Sequence, residues 1–319
     1  MGEIDVVEHQ LAQHDMLLLK LLLIDKTTGS NIRWGTDTYA HLGEGYQAQD
    51  EMLISLVASS DDSAIRPRAV KPIEERQYRT RKRGEVFTPA WVCNEQNNRV
   101  DEEWFGGASP FNRAYQGGWD TFDDKILFPE GRTWKDYVDR RVLEITCGEG
   151  PYLASRYDAV TGELIPLRSR IGLLDRKLRV VSENASDENE WRRWAQRAVE
   201  ATYGFDYQGD NVLLARENLL STYIDYYSEK MGKAPSTSEL HIIANRLAWN
   251  IWQMDGYTFT APFSEHEAEP IQKQLSLFED EDSGAGKVMV PMRCKVYNWR
   301  RSSSEYFDEC VSRWNSNDN

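Results

Sequence analysis

The stretch Glu144-Ile145-Thr146-Cys147-Gly148-Glu149-Gly150 is the part of this sequence best suited to holding a ligand. An apolar run, Val142-Leu143, leads into an acid and then Gly-x-Gly, which is how a buried strand ends in a glycine turn. Glycine has no Cβ, so backbone N–H groups in such a turn can approach a nucleotide-like ligand closely. Other residues could serve the same site. In Phe87-Thr88-Pro89 the proline holds Thr88 extended, and a helix can begin at Pro89 with Thr88 as its cap. The N-terminus of that helix is a seat for a carboxylate. Asp206 ends the short apolar run Tyr203-Gly204-Phe205-Asp206. An acid there either binds ribose hydroxyls or caps the helix that follows.

A basic strip adds a different chemistry. Between residues 66 and 83 lie Arg66, Arg68, Lys71, Arg76, Arg79, Arg81, Lys82 and Arg83 against Glu74 and Glu75. The strip is either a solvated linker or a surface that contacts phosphates, where each cation releases counterions on binding.

Several elements must position these groups. An apolar stripe through Leu11, Leu17, Leu18, Leu21 and Leu22 predicts helix, followed by a strand or turn at Asn31-Ile32-Arg33-Trp34-Gly35. A second apolar patch at residues 52–57 precedes the polar break Ser59-Ser60-Asp61-Asp62-Ser63, where a boundary is expected. Residues 101–135 read as an irregular surface segment. A strand at 142–146 meets the glycine turn. Residues 151–160 could begin a helix, and Thr161-Gly162 marks an insertion in it. Ile171-Gly172-Leu173-Leu174-Asp175 reads as a strand or turn. Trp191, Trp194, Ala195, Ala198 and Val199 form a helical stripe, and a further helix runs on from about Asp210. Residues 239–249 are helical, and 249–256 form a strand closing on Asp255-Gly256. Residues 264–286 are acidic and poor in apolar groups, as in a mobile loop. A strand-like run at 288–297 precedes Asn298-Trp299 and a polar tail. The expected organisation is a helical region at 1–62, a basic linker at 63–83, an α/β domain at 84–300 and a tail at 301–319.

Composition narrows the class. With 319 residues, 40% of them hydrophobic, the chain can bury a large core. A net charge of −14 argues against a general polyanion binder and makes the basic strip the exception. Cys93, Cys147, Cys294 and Cys310 form no Cys-x-x-Cys pair, so neither zinc nor a disulfide framework is expected. The longest apolar run, residues 16–24, is interrupted by Lys20 and too short for a bilayer. A cytoplasmic location with no membrane partner is the expectation.

Together the motifs resemble the amino-methylating DNA methyltransferases of the adenine-N6 type, and the modification subunits of restriction systems. The likeness covers about residues 80–260. Residues 84–92 resemble the Phe-Thr-Pro motif that seats the methionine carboxylate. Glu144-x-x-Cys147-Gly148-x-Gly150 resembles the Asp-Pro-x-Cys-Gly-Ser-Gly loop. Tyr203-Gly204-Phe205-Asp206 with Ala215-Arg216 resembles the Tyr-Gly-x-Asp…Ala-Arg segment, whose acid holds the ribose. Asn250-Ile251-x-x-x-Asp255-Gly256 resembles the segment whose Asp meets the cofactor adenine. The resemblance implies an α/β, Rossmann-like methyltransferase fold binding S-adenosyl-L-methionine through Phe87, Thr88, Pro89, Glu144, Cys147, Gly148, Gly150, Asp206 and Asp255. It further implies DNA as substrate, and the basic strip, through Arg76, Arg79, Arg81, Lys82 and Arg83, is the expected phosphate contact. A second methyltransferase, specificity or restriction subunit is the implied partner, and no metal is implied.

The family's catalytic motif is Asn or Asp, Pro-Pro, then Tyr or Phe. Its amide and a proline carbonyl accept hydrogen bonds from the adenine amine, and the aromatic ring stacks on the flipped base. None of the eleven prolines here adjoins another. In chain order the stand-in is Tyr297-Asn298-Trp299, an amide between two aromatics. Glu149 stands where the family has a small residue, placing a charge near the cofactor carboxylate unless it turns to the amino group. The chain ends about twenty residues after Asn298, which implies a fold truncated on its C-terminal side. The expected function is therefore methyl transfer to adenine N6 in a restriction-modification or phage-defence system. The alternatives are a catalytically inactive cofactor-binding scaffold or sensor, and a methyltransferase with a non-DNA acceptor.

Overall fold

A computed structural model describes residues 8–58, 65–83, 88–267 and 288–317. The leucine-rich start forms two helices, α1 (Glu8–His14) and α2 (Met16–Leu23). They are separated at Asp15, whose carboxylate accepts the Leu18 N–H at 3.0 Å and caps α2. After α3 (Ile54–Val57), the basic strip is not a linker: residues 73–83 form helix α4 (Ile73–Arg83). It carries no apolar stripe and owes its place to ion pairs described below. Next come α5 (Ala90–Phe105), the hairpin β1 (Asn112–Tyr115) with β2 (Gly118–Thr121), and α6 (Trp134–Asp139), which a Thr133–Asp136 capping box starts.

Three parallel strands then carry the centre: β3 (Val142–Ile145), β4 (Thr202–Asp206) and β5 (Ile251–Gln253), in that spatial order. Helices α7 (Leu173–Asn184) and α8 (Glu188–Glu200) join β3 to β4; α9 (Gly209–Met231) and α10 (Thr237–Asn250) join β4 to β5. The chain is thus mixed α/β with a small parallel sheet. The remaining elements are the strands β6 (His266–Glu267), β7 (Met289–Val290), β8 (Lys295–Asn298) and β9 (Ser303–Tyr306), and α11 (Phe307–Asn317). The C-terminal residues expected as a polar tail therefore build a strand and a helix, anchored by buried Phe307 and Cys310.

Side chains alternate across a strand, so the sheet has two faces. Val142 and Ile251 point into a large core shared with α2, α7, α8, α9 and α10. Leu18, Leu19, Leu22 and Leu23 of α2 belong to that same core, so the N-terminal helices do not stand apart from the sheet. Leu143, Tyr203, Phe205 and Trp252 point the other way, against Cys294, Val296 and Phe307. Lys177 is buried and donates to the carbonyls of Arg140 and Ala201, tying together the starts of β3 and β4. Among the described residues β3 pairs only with β4, and Ile145 at its end is 66% exposed. No helix among the described residues is long and apolar enough to cross a membrane.

Candidate functional site

In open parallel sheets ligands bind beyond the C-terminal strand ends. Here that edge carries the glycine turn, Asp206 and Asp255 together. After β3, Thr146, Gly148 and Gly150 all take positive φ (49°, 54° and 75°), which costs little only at the glycines. The two glycines serve different ends. A Cβ on Gly150 would lie 3.3 Å from Leu219 Cδ1, so its bareness lets α9 pack close. A Cβ on Gly148 would meet nothing within 4 Å: this position faces open space.

The turn is pinned to the neighbouring strand. Cys147 N–H donates to the Phe205 carbonyl at 2.8 Å, and Gly148 N–H donates to Asp206 Oδ2 at 2.9 Å. Asp206 Oδ1 also accepts the Gln208 N–H at 2.9 Å. Burial pushes the Asp206 carboxyl up to about 6, against the pull of those N–H bonds. Asp206 therefore holds both the approach to the next helix and the glycine turn.

Glu144 lies one residue inside the strand end. Burial lifts its carboxyl well above the usual range, the N–H groups of Tyr152 and Leu153 oppose that, and the charge of Asp206 adds to it. Its buried Oε2 has no hydrogen-bond partner. A buried unpartnered carboxylate oxygen costs about 1–3 kcal/mol or more unless a donor reaches it. Burial, then Glu144 and Asp206, push the Cys147 thiol well above the ordinary range.

The helix expected to begin in residues 151–160 is reduced to one turn that stops well before Thr161-Gly162. Residues 150–154 make a single helical turn, and the N–H groups of Leu173 and Leu174 then donate to the Tyr152 and Leu153 carbonyls at 2.8 Å. So α7 resumes where that turn stops. No helix begins in residues 155–165; they form a loop with a Tyr157–Leu164 bridge. The segment 171–175 is the entry to α7 rather than a strand.

Thr88 faces the Tyr152 hydroxyl, so the proline-led segment does reach the glycine turn. Its helix starts one residue later than expected: α5 begins at Ala90 with Pro89 at the cap position and no side-chain cap. The carboxylate expected at this N-terminus is the protein's own, since Asp158 Oδ2 accepts the Ala90 N–H at 2.7 Å. Phe87 lies outside the described residues. Asp255 follows β5, where Met254 N–H donates to the Asp206 carbonyl. Its Oδ1 accepts the N–H groups of Tyr257 (2.8 Å) and Thr258 (3.2 Å) and shapes a turn.

Glu149 turns away from the open side. Its Oε2 accepts the Tyr157 hydroxyl at 2.8 Å and its Oε1 accepts the Arg68 N–H, while Asn218 Nδ2 donates to the Glu149 carbonyl at 3.0 Å. The charge expected near a cofactor carboxylate is instead a tie between the glycine turn and the basic segment.

The basic strip divides. Arg79, only 1% exposed, pairs with Asp210 Oδ2 at 2.7 Å, and Lys71 Nζ lies 3.5 Å from the same oxygen. The Tyr39 hydroxyl donates to it as well. Burial pushes Asp210 up, but Arg79 and Lys71 outweigh it and hold the carboxyl down at about 2. Arg79 is therefore corrected from a DNA contact to the anchor of α4. Arg81 and Lys82 are exposed, Arg76 is half-buried, and none of the three has an ion pair among the described residues. Arg83 ends the helix, and its side chain lies outside the described residues.

Tyr297, Asn298 and Trp299 are not brought to the ligand edge. From Cys294, whose Sγ meets the Gln253 carbonyl, β8 runs against the direction of β5. It finishes with Trp299 Nε1 donating to Asn250 Oδ1 at 2.8 Å, before β5 begins. Asn298 accepts from Arg141 and donates to Glu305, and the Tyr297 carbonyl accepts the Tyr203 hydroxyl. Tyr297 packs on Trp249 and Trp299 at 5.2 and 4.4 Å. All three thus sit at the N-terminal ends of the parallel strands, opposite the glycine turn, and their catalytic assignment is withdrawn. The sequence order was right for a following strand, but that strand pairs with β9 instead of joining the sheet.

Tyr152, Asp158 and Asp210 were missed. Asp210 follows Gly209 at a helix start, which is a usable signal; nothing local marks Tyr152 or Asp158. No family model, no curated protein and no solved structure matches the chain.

Proposed function

We propose that this chain binds S-adenosyl-L-methionine at the C-terminal edge of its parallel sheet. In this reading it is the cofactor-binding part of a cytoplasmic adenine-N6 DNA methyltransferase of a restriction-modification or phage-defence system, and works with a partner subunit. One observation carries the reading: Gly148, open on its far side, donates to Asp206 beside the unpartnered Oε2 of Glu144. A ligand with ribose hydroxyls or an ammonium group would supply the donor that Glu144 Oε2 lacks, and Gly148 would let it approach the backbone. Bound there, the cofactor supplies an electrophilic methyl group. The strand order β3-β4-β5, with the glycine turn after the edge strand, supports half of a Rossmann-like sheet. Calorimetric titration of S-adenosyl-L-methionine tests the reading, and absence of binding would refute it. Transfer of labelled methyl to DNA, RNA or protein, with a partner added, identifies the acceptor.

A second reading is favoured by the position of Tyr297-Asn298-Trp299 at the opposite end of the strands. The chain would then bind the cofactor as a scaffold or sensor and leave chemistry to another subunit. Cofactor binding without methyl transfer under any pairing would support it.

A further inference from the structure

Two grooves that share Val160 make a surface lying mostly outside the cofactor reading. The first, about 310 Å³, runs beside α4 and is lined by Arg68, Arg76, Thr80 and Arg81. The second, about 540 Å³, lies where α5 begins and is walled by Trp91, Tyr115 and Trp119. Val160 lines both, so the two grooves adjoin. Each also touches the candidate cofactor site: Arg68 through its N–H to Glu149, and Pro89 beside Thr88.

The aromatic wall is held in place. Trp119 Nε1 donates to the Ser169 carbonyl at 2.9 Å, which fixes the indole. Tyr115 is 53% exposed, and its ring lies across Gly118, where a Cβ would come within 2.8–2.9 Å of ring atoms and the hydroxyl. Gly118 is therefore required for the ring to lie flat against the hairpin. Asp158 also lines this groove, but its carboxylate is engaged by the N–H groups of Ala90, Val160 and Thr161. Exposed Glu163 remains to accept from a base amine.

We propose that the two grooves form one seat for single-stranded nucleic acid, with phosphates along Arg76 and Arg81 and bases stacked against Trp91, Tyr115 and Trp119. Unpaired cations track a backbone of any sequence, and flat rings accept any base, which is the combination single strands require. The net charge of −14 makes such a local positive face selective rather than general. The proposal rests on the DNA-methyltransferase reading for its choice of a DNA strand.

The test uses the full chain and a labelled oligothymidylate strand of about twenty nucleotides, followed by fluorescence anisotropy without cofactor. Binding is expected to weaken as salt rises, by about tenfold in an Arg76→Glu, Arg81→Glu double variant and by about five- to tenfold in Tyr115→Ala. Arg81 and Tyr115 are exposed, and half-buried Arg76 has no ion pair among the described residues, so thermal melting should change little. A strand that does not bind, or that binds both variants as it binds the parent, overturns the proposal. So does a duplex that competes equally while Tyr115→Ala has no effect. Strand binding without S-adenosyl-L-methionine binding would remove the methyltransferase reading and leave this surface standing; the converse would remove the surface alone.

Discussion

Replacing Asp206 by Asn should reverse its effect on stability between acid and neutral pH. The buried carboxyl has its pKa raised from 3.8 to about 6. The folded protein therefore holds this proton more tightly than the unfolded chain does. The group's contribution is complete below the ordinary aspartate range and is lost as pH rises through about 6. Two pKa units correspond to about 3 kcal/mol at neutral pH. Asn cannot ionise, so the variant escapes that cost. It also turns an amide N–H toward Gly148 N–H or Gln208 N–H, each of which now donates to a carboxylate oxygen. One mismatched donor costs about 1–3 kcal/mol at every pH. The variant should be less stable than the parent at about pH 4 and equal to it, or up to about 2 kcal/mol more stable, at about pH 8. Urea denaturation of both proteins across that range reads the difference and cancels the other titrations. Removing the Asp206 charge also lets Glu144 move back toward its usual range, although burial still holds it high. Affinity for S-adenosyl-L-methionine should fall at the same time, a gain of stability with a loss of function. Parallel stability profiles for the two proteins would refute the reasoning.

Gly148→Ala should cost about 1–2 kcal/mol of stability from its positive φ alone, since its Cβ has room. It should nevertheless abolish cofactor binding, and a calorimetric titration equal to the parent's would mean that the ligand does not approach there. Arg79→Leu should lose about 3 kcal/mol, because Asp210 stays buried with weaker compensation. The Arg79–Asp210 contribution is in force above the ordinary aspartate range and is lost as pH falls through about 2, so the deficit should persist across mildly acid and neutral buffers. Unaltered melting with weakened DNA binding would return Arg79 to the DNA surface. Asn298→Ala should cost less than about 1 kcal/mol and leave the cofactor titration unchanged. Loss of methyl transfer in that variant, with binding intact, would contradict the position of Asn298 at the far end of the strands.

The elements that the sequence made legible are those whose own residues encode them. The strands β3, β4 and β5 are apolar runs ended by an acid or glycine, and α8 and α10 show helical stripes. Helix α4 was illegible because its anchoring depends on Asp210, far along the chain, and because a buried arginine looks like its exposed neighbours in sequence. The part of α11 that packs is hidden for a similar reason: Phe307 and Cys310 stand among polar residues. For the site, residue types and order located the glycine turn, Thr88, Asp206 and Asp255 on one edge. Order along the chain could not tell which end of the sheet Tyr297-Asn298-Trp299 would reach, since that depends on the direction of a strand that pairs with its own hairpin partner rather than with the sheet.

The parallel sheet also has a consequence for how the protein is made. Neither β3–β4 nor β4–β5 can be closed by a hairpin; each pairing waits for two helices and their loops to be synthesised and gathered. Such long closures lose entropy before any ladder bond repays it, so the sheet is expected to close after helices α7 to α10 have formed. The glycine turn needs both Asp206 and the Phe205 carbonyl to hold its shape, so it forms only when β4 is in register with β3. A chain released before that moment would hold most of its helices and an unfixed glycine turn.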